Sequence, residues 1–387
     1  MALTVIGMVI GLIIMLITLG SVNYYIALRL YQGINYIFPQ INAKVYIGIF
    51  IFITLTMILG FARSLLQLPM AIKNIMGLIS SYWMGILVYT LLSFIIADLA
   101  LVIGSMTKLI PNPMPKSIRF YSGLIVVLLT IGTVGYGIYS ANKIKHVSYD
   151  ISLREKTLSS ELKIAMISDL HLGAVNSENR IENMVREINN LKPDLVCIAG
   201  DIFDNDYYAI QGPDEISDLL KSITSTNGVY ASLGNHDAGE TLKEMMDFLE
   251  RSNIKLLNDQ HVIVDESLVL VGRLDSSPIG GFGGMSRKDL AEIIDLADNK
   301  LPVVVIDHNP QNIDEYGSGV DLILAGHTHK GQIFPGSLFT RAIYAVDYGH
   351  YQKDSNSPHV VVTSGVGTWG MPMRVGTNCE IVSIKLH

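Results

Sequence analysis

The sequence predicts an α/β domain preceded by an α-helical membrane region, and three observations carry that reading. First, charge is distributed unevenly along the 387 residues. Of 28 Lys and Arg and 35 Asp and Glu, residues 1–149 hold nine basic side chains and a single acid, Asp98, leaving nineteen basic and thirty-four acidic for the rest. Second, four long apolar stretches fill the basic part. Third, beyond Lys163 short apolar runs alternate with amphipathic segments, the signature of strands and helices layered on one another.

The four apolar stretches are residues 1–28, 45–62, 78–104 and 121–139. A spanning helix needs about 20 mainly apolar residues to cross a hydrocarbon core of roughly 30 Å, and all four meet or approach that length. The first exceeds the apolar core of a cleaved signal peptide, about 7–15 residues, and no small-residue cleavage site follows it, so it is read as retained. Basic residues are confined to the flanks, and Tyr24, Tyr25, Tyr46, Tyr121 and Tyr139 suit the interfacial zone. Four spans place Arg63, Lys73, Lys143 and Lys145 on one side and Arg29, Lys44, Lys108, Lys116 and Arg119 on the other. That balance does not orient the chain. Asp98, the one acid within a span, lies close enough to the end of its stretch to be read as interfacial.

After residue 163, runs at 164–167, 195–199, 229–233, 301–306 and 322–325 are short, apolar and rich in branched side chains, and predict buried strands. Helical periodicity lies between them at 179–190, 214–223, 240–251 and 288–297. Residues 142–162 read as a connector carrying a first edge strand, which divides the chain into 1–142 and 143–387. The acidic balance of the second part disfavours nucleic acid as a partner, since backbone phosphates are bound by clustered Lys and Arg. The two cysteines, Cys197 and Cys379, are too few for a disulfide framework. Cys197 falls within an apolar run, where a buried thiol is expected.

The chemistry sits where the runs end. The first is followed by Ser168-Asp169-Leu170-His171, the second by Gly200-Asp201-Ile202-Phe203-Asp204, and the third by Gly234-Asn235-His236-Asp237. The fourth leads into Asp307-His308-Asn309-Pro310 and the fifth into Gly326-His327-Thr328-His329. Loops from separate strands converge beyond the carboxyl ends of a sheet, and five of the ten histidines are in these turns. Carboxylate and imidazole together suit Mn, Fe or Zn, whereas an all-oxygen set points to Mg or Ca. Asp-x-His and His-x-His place two donors on one side of an extended segment. Two ions about 3.5–4 Å apart need a shared anion, and Asp201, alone after a glycine, is positioned to be that bridge. A single Asp-x-His or Gly-Asp is common in ordinary turns; five such turns in this order, each at a strand exit, are not.

These five blocks resemble the motifs of the calcineurin-like metallophosphoesterases, D-x-H, G-D, G-N-H, H and G-H-x-H, with no ligand missing, and the resemblance extends over about residues 160–387. It implies a four-layer α/β sandwich, two mixed β-sheets packed face to face and flanked by helices. It also implies that Asp169, His171 and His329 hold one ion, Asn235, His308 and His327 the other, with Asp201 bridging, and that His236 is a non-ligand histidine beside the scissile phosphate. The segments 363–370 and 371–376 are similar to the closing signature of a bacterial membrane-associated branch of the family.

The resulting expectation is a multi-pass membrane protein with two divalent ions, manganese first and iron or zinc as alternatives. It would hydrolyse a phosphoester or pyrophosphate through a metal-bridging hydroxide. A lipid-linked substrate at the bilayer is one option. His236 is the expected proton donor to the leaving oxygen. Asp237 either orients His236 or caps the following helix. Arg374 either binds a substrate phosphate with its planar fork or makes a surface ion pair. The alternative of another class is a membrane sensor or transport-associated protein whose domain binds metal without turnover. The side of the membrane and the oligomeric state are not encoded in these patterns.

Overall fold

The computed structural model describes residues 2–153, 158, 160–175, 178–295 and 300–387. The chain divides into two compact units, Met1–Tyr136 and Gly137–His387. The first unit is built of helices. These are α1 (Ala2–Ile37), α2 (Ala43–Phe61), α3 (Met70–Met106) and α4 (Lys116–Ala141), whose last residues fall in the second unit. Each contains a segment long and apolar enough to cross a membrane. Their side chains are mostly exposed, as expected of helices whose solvent is lipid. A small cluster of Ile26, Met57, Leu87, Phe94 and Val126 draws the four together. Asp98 is paired: Arg29 donates to Oδ1 and the Tyr25 hydroxyl to Oδ2 at 2.6 Å. A carboxylate on a long apolar helix is expected to be paired.

The second unit holds twelve strands among the described residues: β1 (Ile144–Ile151), β2 (Leu162–Ile167), β3 (Leu195–Ala199), β4 (Val229–Ser232), β5 (Ile254–Leu256), β6 (Gln260–Val264), β7 (Leu268–Gly272), β8 (Val303–Ile306), β9 (Leu322–Ala325), β10 (Gly349–Tyr351), β11 (His359–Val362) and β12 (Cys379–Leu386). They form two six-stranded mixed sheets, ordered β1-β12-β2-β3-β4-β5 and β10-β11-β9-β8-β7-β6. Most neighbours are parallel; β12 with β2, β10 with β11 and β6 with β7 are antiparallel.

Side-chain alternation assembles the layers. Ile164, Met166, Leu195 and Cys197 of the first sheet meet Leu270, Val304, Ile306 and Leu324 of the second in one apolar cluster. The opposite-facing Ala165, Ile167, Val196 and Ile198 pack on α5 (Glu178–Leu191), α6 (Pro213–Lys221) and α7 (Leu242–Arg251). On α5, Ile181, Met184, Val185 and Ile188 form the buried stripe at i, i+3, i+4 and i+7; each side chain so removed from water contributes about 1.5–3 kcal/mol. The outer face of the second sheet is covered by Ile293, Ile294, Tyr316 and Val320. The result is the expected pair of mixed sheets flanked by helices.

The helix expected over 288–297 is only α8 (Leu290–Ile293): Ile294 is already extended, and residues 296–299 lie outside the described set. A further helix, α9 (Gly336–Ile343), has no counterpart in the apolar periodicity, and none of its residues is buried. Cys197 is buried between the sheets, and burial pushes its thiol well above the usual range.

Candidate metal centre

The carboxyl ends of β2, β3 and β4 in one sheet and of β8 and β9 in the other open onto the same place, and the turns beyond them bring their polar side chains together. Backbone bonds lock the turns to one another: Asp169 N donates to Gly200 O at 3.0 Å, His171 N to Asp201 O at 3.0 Å, and Gly326 N to His308 O at 2.9 Å. The approach is too close for side chains. A Cβ on Gly234 would collide with the Asp201 carboxylate, and one on Gly326 would meet Asp169 Oδ2 at 2.5 Å. Asp169, His171, Asp201, His327 and His329 all have φ between 47° and 70°. The left-handed region costs a non-glycine residue about 1–3 kcal/mol, so the sheets hold these turns in a conformation the chain would not choose alone.

The donors form two groups. In one, His171 Nε2 lies 3.1 Å from His329 Nε2, which lies 3.3 Å from Asp169 Oδ1. In the other, His327 Nδ1 is 2.9 Å from Asn235 Oδ1 and 3.3 Å from His308 Nε2, and His308 Nε2 is 3.1 Å from Asp201 Oδ2. Asp201 Oδ2 is also 3.8 Å from His171 Nε2, so it faces both groups. Its partner Oδ1 is occupied, accepting the His236 backbone N–H at 2.9 Å. His308 Nδ1 is 2.7 Å from the Ala199 carbonyl, which fixes the proton on that nitrogen and turns Nε2 toward the cluster.

Electrostatics fits cations at these points. Two imidazole nitrogens in contact can share at most one proton, and a divalent ion satisfies both lone pairs. Burial holds His171 down to about 3 and His327 to about 4, and pushes His329 well below the usual range, so all three are neutral, the ligand form. Burial opposes the charge on His308, but the Asp201 carboxylate offsets it and holds the imidazolium well above the usual histidine range. Burial likewise opposes ionisation of Asp201, yet the His308 charge keeps its carboxyl well below the ordinary range. A proton is thus drawn to the spot where the donor set would hold a metal. Asp169, pushed up to about 6 chiefly by burial, is an anion short of compensating charge.

The sequence profile of the calcineurin-like phosphoesterases matches residues 162–331, the span that contributes every one of these donors. An uncharacterized metallophosphoesterase of Aquifex aeolicus is 31% identical over 239 residues, covering 62% of this chain and 90% of that protein. The chain belongs to the calcineurin-like metallophosphoesterase family. A second uncharacterized metallophosphoesterase, from Campylobacter jejuni, is 30% identical and covers 70% of each chain. A zebrafish (Danio rerio) transmembrane protein with metallophosphoesterase domain is 25% identical over 69% of this chain and 63% of its own length. This is a metal-dependent phosphoesterase, and its four apolar helices together with that relative indicate a membrane protein.

The remaining predicted residues of the phosphoesterase fall as follows. His236 is buried, its ring 5.1 Å from that of His171 and 6.0 Å from Trp369. Asp237 does not reach the His236 ring. Its Oδ1 accepts Phe203 N at 2.7 Å and its Oδ2 accepts Gly234 N at 2.8 Å, so it staples the turn bearing Asp201 to the turn bearing Asn235. Nor does it cap α7, whose N-cap is Thr241. Arg374 departs from both of its expected roles. It is fully buried, and its guanidinium donates to the carbonyls of His329 (3.0 Å), Ser364 (2.6 Å) and Gly367 (2.7 Å) and lies 3.3 Å from His329 Nδ1, so its fork is committed inside the fold rather than offered to a phosphate or to a surface acid.

Two residues went unread in the sequence. Asp204 Oδ1 lies 3.9 Å from both His171 Nδ1 and His236 Nδ1; its signal was a second carboxylate three residues after Asp201 in the same turn. Gln332 accepts Trp369 N at 2.8 Å and donates to the Trp369 and Met371 carbonyls, clamping the 369–371 loop beside the His329 turn. Nothing in its local sequence distinguishes it.

Proposed function

We propose that this chain is a multi-pass membrane phosphoesterase that uses two divalent ions, manganese foremost, to hydrolyse the phosphoester or pyrophosphate bond of a lipid-linked substrate. The observation that carries the chemistry is the pair of donor groups meeting at Asp201 Oδ2. Asp169, His171 and His329 would hold one ion, Asn235, His308 and His327 the other, and Asp201 both. Such ions supply an activated water near neutral pH and positive charge against the phosphate oxygens.

The protein's own part is positioning and proton delivery. Asp237 and the His236 backbone N–H hold the two turns around Asp201. The His236 ring lies beside His171 and can give a proton to the leaving oxygen. Asp204 Oδ1 lies 3.9 Å from His236 Nδ1, beside that ring.

A lipid-linked substrate is supported by an apolar rim. Leu338, Phe339 and Ile343 of α9 and Trp369 are exposed. Trp369 lies against His236, and Tyr344, which follows α9, is 5.9 Å from His327. An amphipathic helix with none of its residues buried leaves its apolar face for something other than this fold.

The test uses the full chain in detergent with added Mn²⁺ and an aryl phosphodiester or monoester. Turnover is expected from the wild type, none from Asp201→Asn, and about 10²- to 10⁴-fold less from His236→Ala; a fully active Asp201→Asn protein would refute the mechanism. Substrates of short and long acyl chain test the second part. Phe339→Ser with Ile343→Ser should lower kcat/KM for the long chain alone, and equal effects on both would remove the lipid assignment.

A further inference from the structure

The first unit carries an excess of positive charge. Among residues 1–136 there are seven basic side chains and one acid, and that acid, Asp98, is engaged by Arg29 and Tyr25. Lys116 and Arg119, in the first turn of α4, form no ion pair among the described residues. They line a cavity of about 280 Å³ with Tyr31, Gln32, Asn35 and Tyr36 of α1. The cavity has firm walls: Tyr36 stacks on Phe120 with ring centroids 5.0 Å apart, fixing α1 to α4. Gln32 Oε1 is held by Arg29 at 2.8 Å, which leaves its amide nitrogen free to donate. Every charged group at this cavity is a cation, and the polar groups around it are rich in donors.

Tyr31 also lines a second cavity, of about 560 Å³, between α1 and α2. Its walls are apolar, with Leu28, Ile47, Phe50, Ile51 and Leu55 among them. Three of the polar side chains there are engaged within the protein. Thr54 Oγ1 donates to Asn23 Oδ1 at 3.1 Å, Asn23 Nδ2 donates to Leu19 O at 2.8 Å, and Tyr46 Oη donates to Ala27 O at 2.8 Å. The lining runs along α1 from Gly20 to Tyr31. At 1.5 Å per residue that is about 16 Å, roughly half of a 30 Å hydrocarbon core. The groove is therefore one leaflet deep, with the basic cavity at its mouth.

We propose that these contiguous cavities form a binding site for one anionic phospholipid of the surrounding bilayer, its phosphate between Lys116 and Arg119 and one acyl chain in the α1–α2 groove. Basic pockets between membrane helices take anionic headgroups, and a planar guanidinium beside an ammonium suits a phosphate. A zwitterionic lipid would bring a further cation to a cavity that already holds two. The site lies wholly within the first unit, so it stands or falls separately from phosphoester hydrolysis.

The experiment is native mass spectrometry of the full chain in mild detergent, titrated with phosphatidylglycerol or phosphatidylcholine. One phosphatidylglycerol is expected to bind at least tenfold more tightly than phosphatidylcholine. Lys116→Gln with Arg119→Gln should weaken it about tenfold, Ile47→Trp should block the groove and weaken it as well, and Lys73→Gln with Lys108→Gln should leave it unchanged. Three of the four side chains changed in the double variants are exposed and Lys73 is half-buried, so helical circular dichroism is used to check that they are folded. Equal retention of the two lipids, or wild-type binding by the Lys116/Arg119 variant, overturns the proposal. Displacement of the lipid by glycerol phosphate at equal concentration overturns it too, since that ligand has no chain for the groove.

Discussion

Arg374→Met separates a role in stability from a role in substrate binding. The substitution keeps an apolar stem of similar length and removes a guanidinium that is fully buried and donates at 3.0, 2.6 and 2.7 Å to three carbonyls. Each buried carbonyl left without a donor costs about 1–3 kcal/mol, and relief of the buried charge's desolvation returns part of that, for a net loss of about 3–5 kcal/mol. Marginal stability makes such a loss large, and in a unit of this size it lowers the unfolding midpoint by roughly 6–20 °C. The chain has two tryptophans, Trp83 in the first unit and Trp369 in the second. In a Trp83→Phe background, Trp369 fluorescence therefore reports unfolding of the phosphoesterase unit alone. Arg374→Lys should fall between wild type and Arg374→Met, since an ammonium keeps the charge without the fork. A wild-type midpoint with a KM raised tenfold would refute this reasoning and return Arg374 to the substrate.

Chelation followed by Mn²⁺ titration should restore the Trp369 midpoint with two ions bound per chain; at a hundred times the dissociation constant, each ion adds about 2.7 kcal/mol. Gly234→Ala drives a Cβ into the Asp201 carboxylate and should abolish metal retention measured by elemental analysis. His236→Ala should retain both ions while kcat falls about 10²- to 10⁴-fold; loss of metal instead would make His236 a ligand. In metal-free protein, His171 and His327 have pKa values of about 3 and about 4, below those of the unfolded chain. The unfolded state binds more protons between those values and about 6.5, so their contribution is complete above pH 6.5 and is lost as pH falls toward 4. Asp169, raised to about 6, works in the opposite sense between pH 4 and 6. The comparison is therefore wild type against His171→Gln with His327→Gln, and the stability of the wild type should fall more steeply from pH 7 to pH 5.

Apart from β1, expected as an edge strand, the strands that were legible in the sequence are ones buried on both faces. β2, β3, β4, β8 and β9 lie inside their sheets and read as continuous apolar runs. β6 is an edge strand with only Val264 buried, and β10 is three residues long, so neither writes a pattern. β12 is central, between β1 and β2, but its sequence includes Glu380, whose burial is possible only because Thr363 Oγ1, Ser364 N and Tyr348 Oη donate to it. Those partners are distant in the chain, and no local pattern announces them. The donor turns were legible for a related reason: each follows a readable strand. The place of Arg374 was not legible because its partners are backbone carbonyls and the His329 ring, distant in the chain.

Five of the seven residues that would hold the ions sit in left-handed backbone conformations. An unfolded chain seldom visits these, and all five together more rarely still. The sheets must close first, and the turns are then bent into shape by their neighbours. The expected outcome is that ion capture follows folding, unlike small domains in which the ion nucleates the structure; a metal-free chain that shows no cooperative Trp369 unfolding transition would refute it.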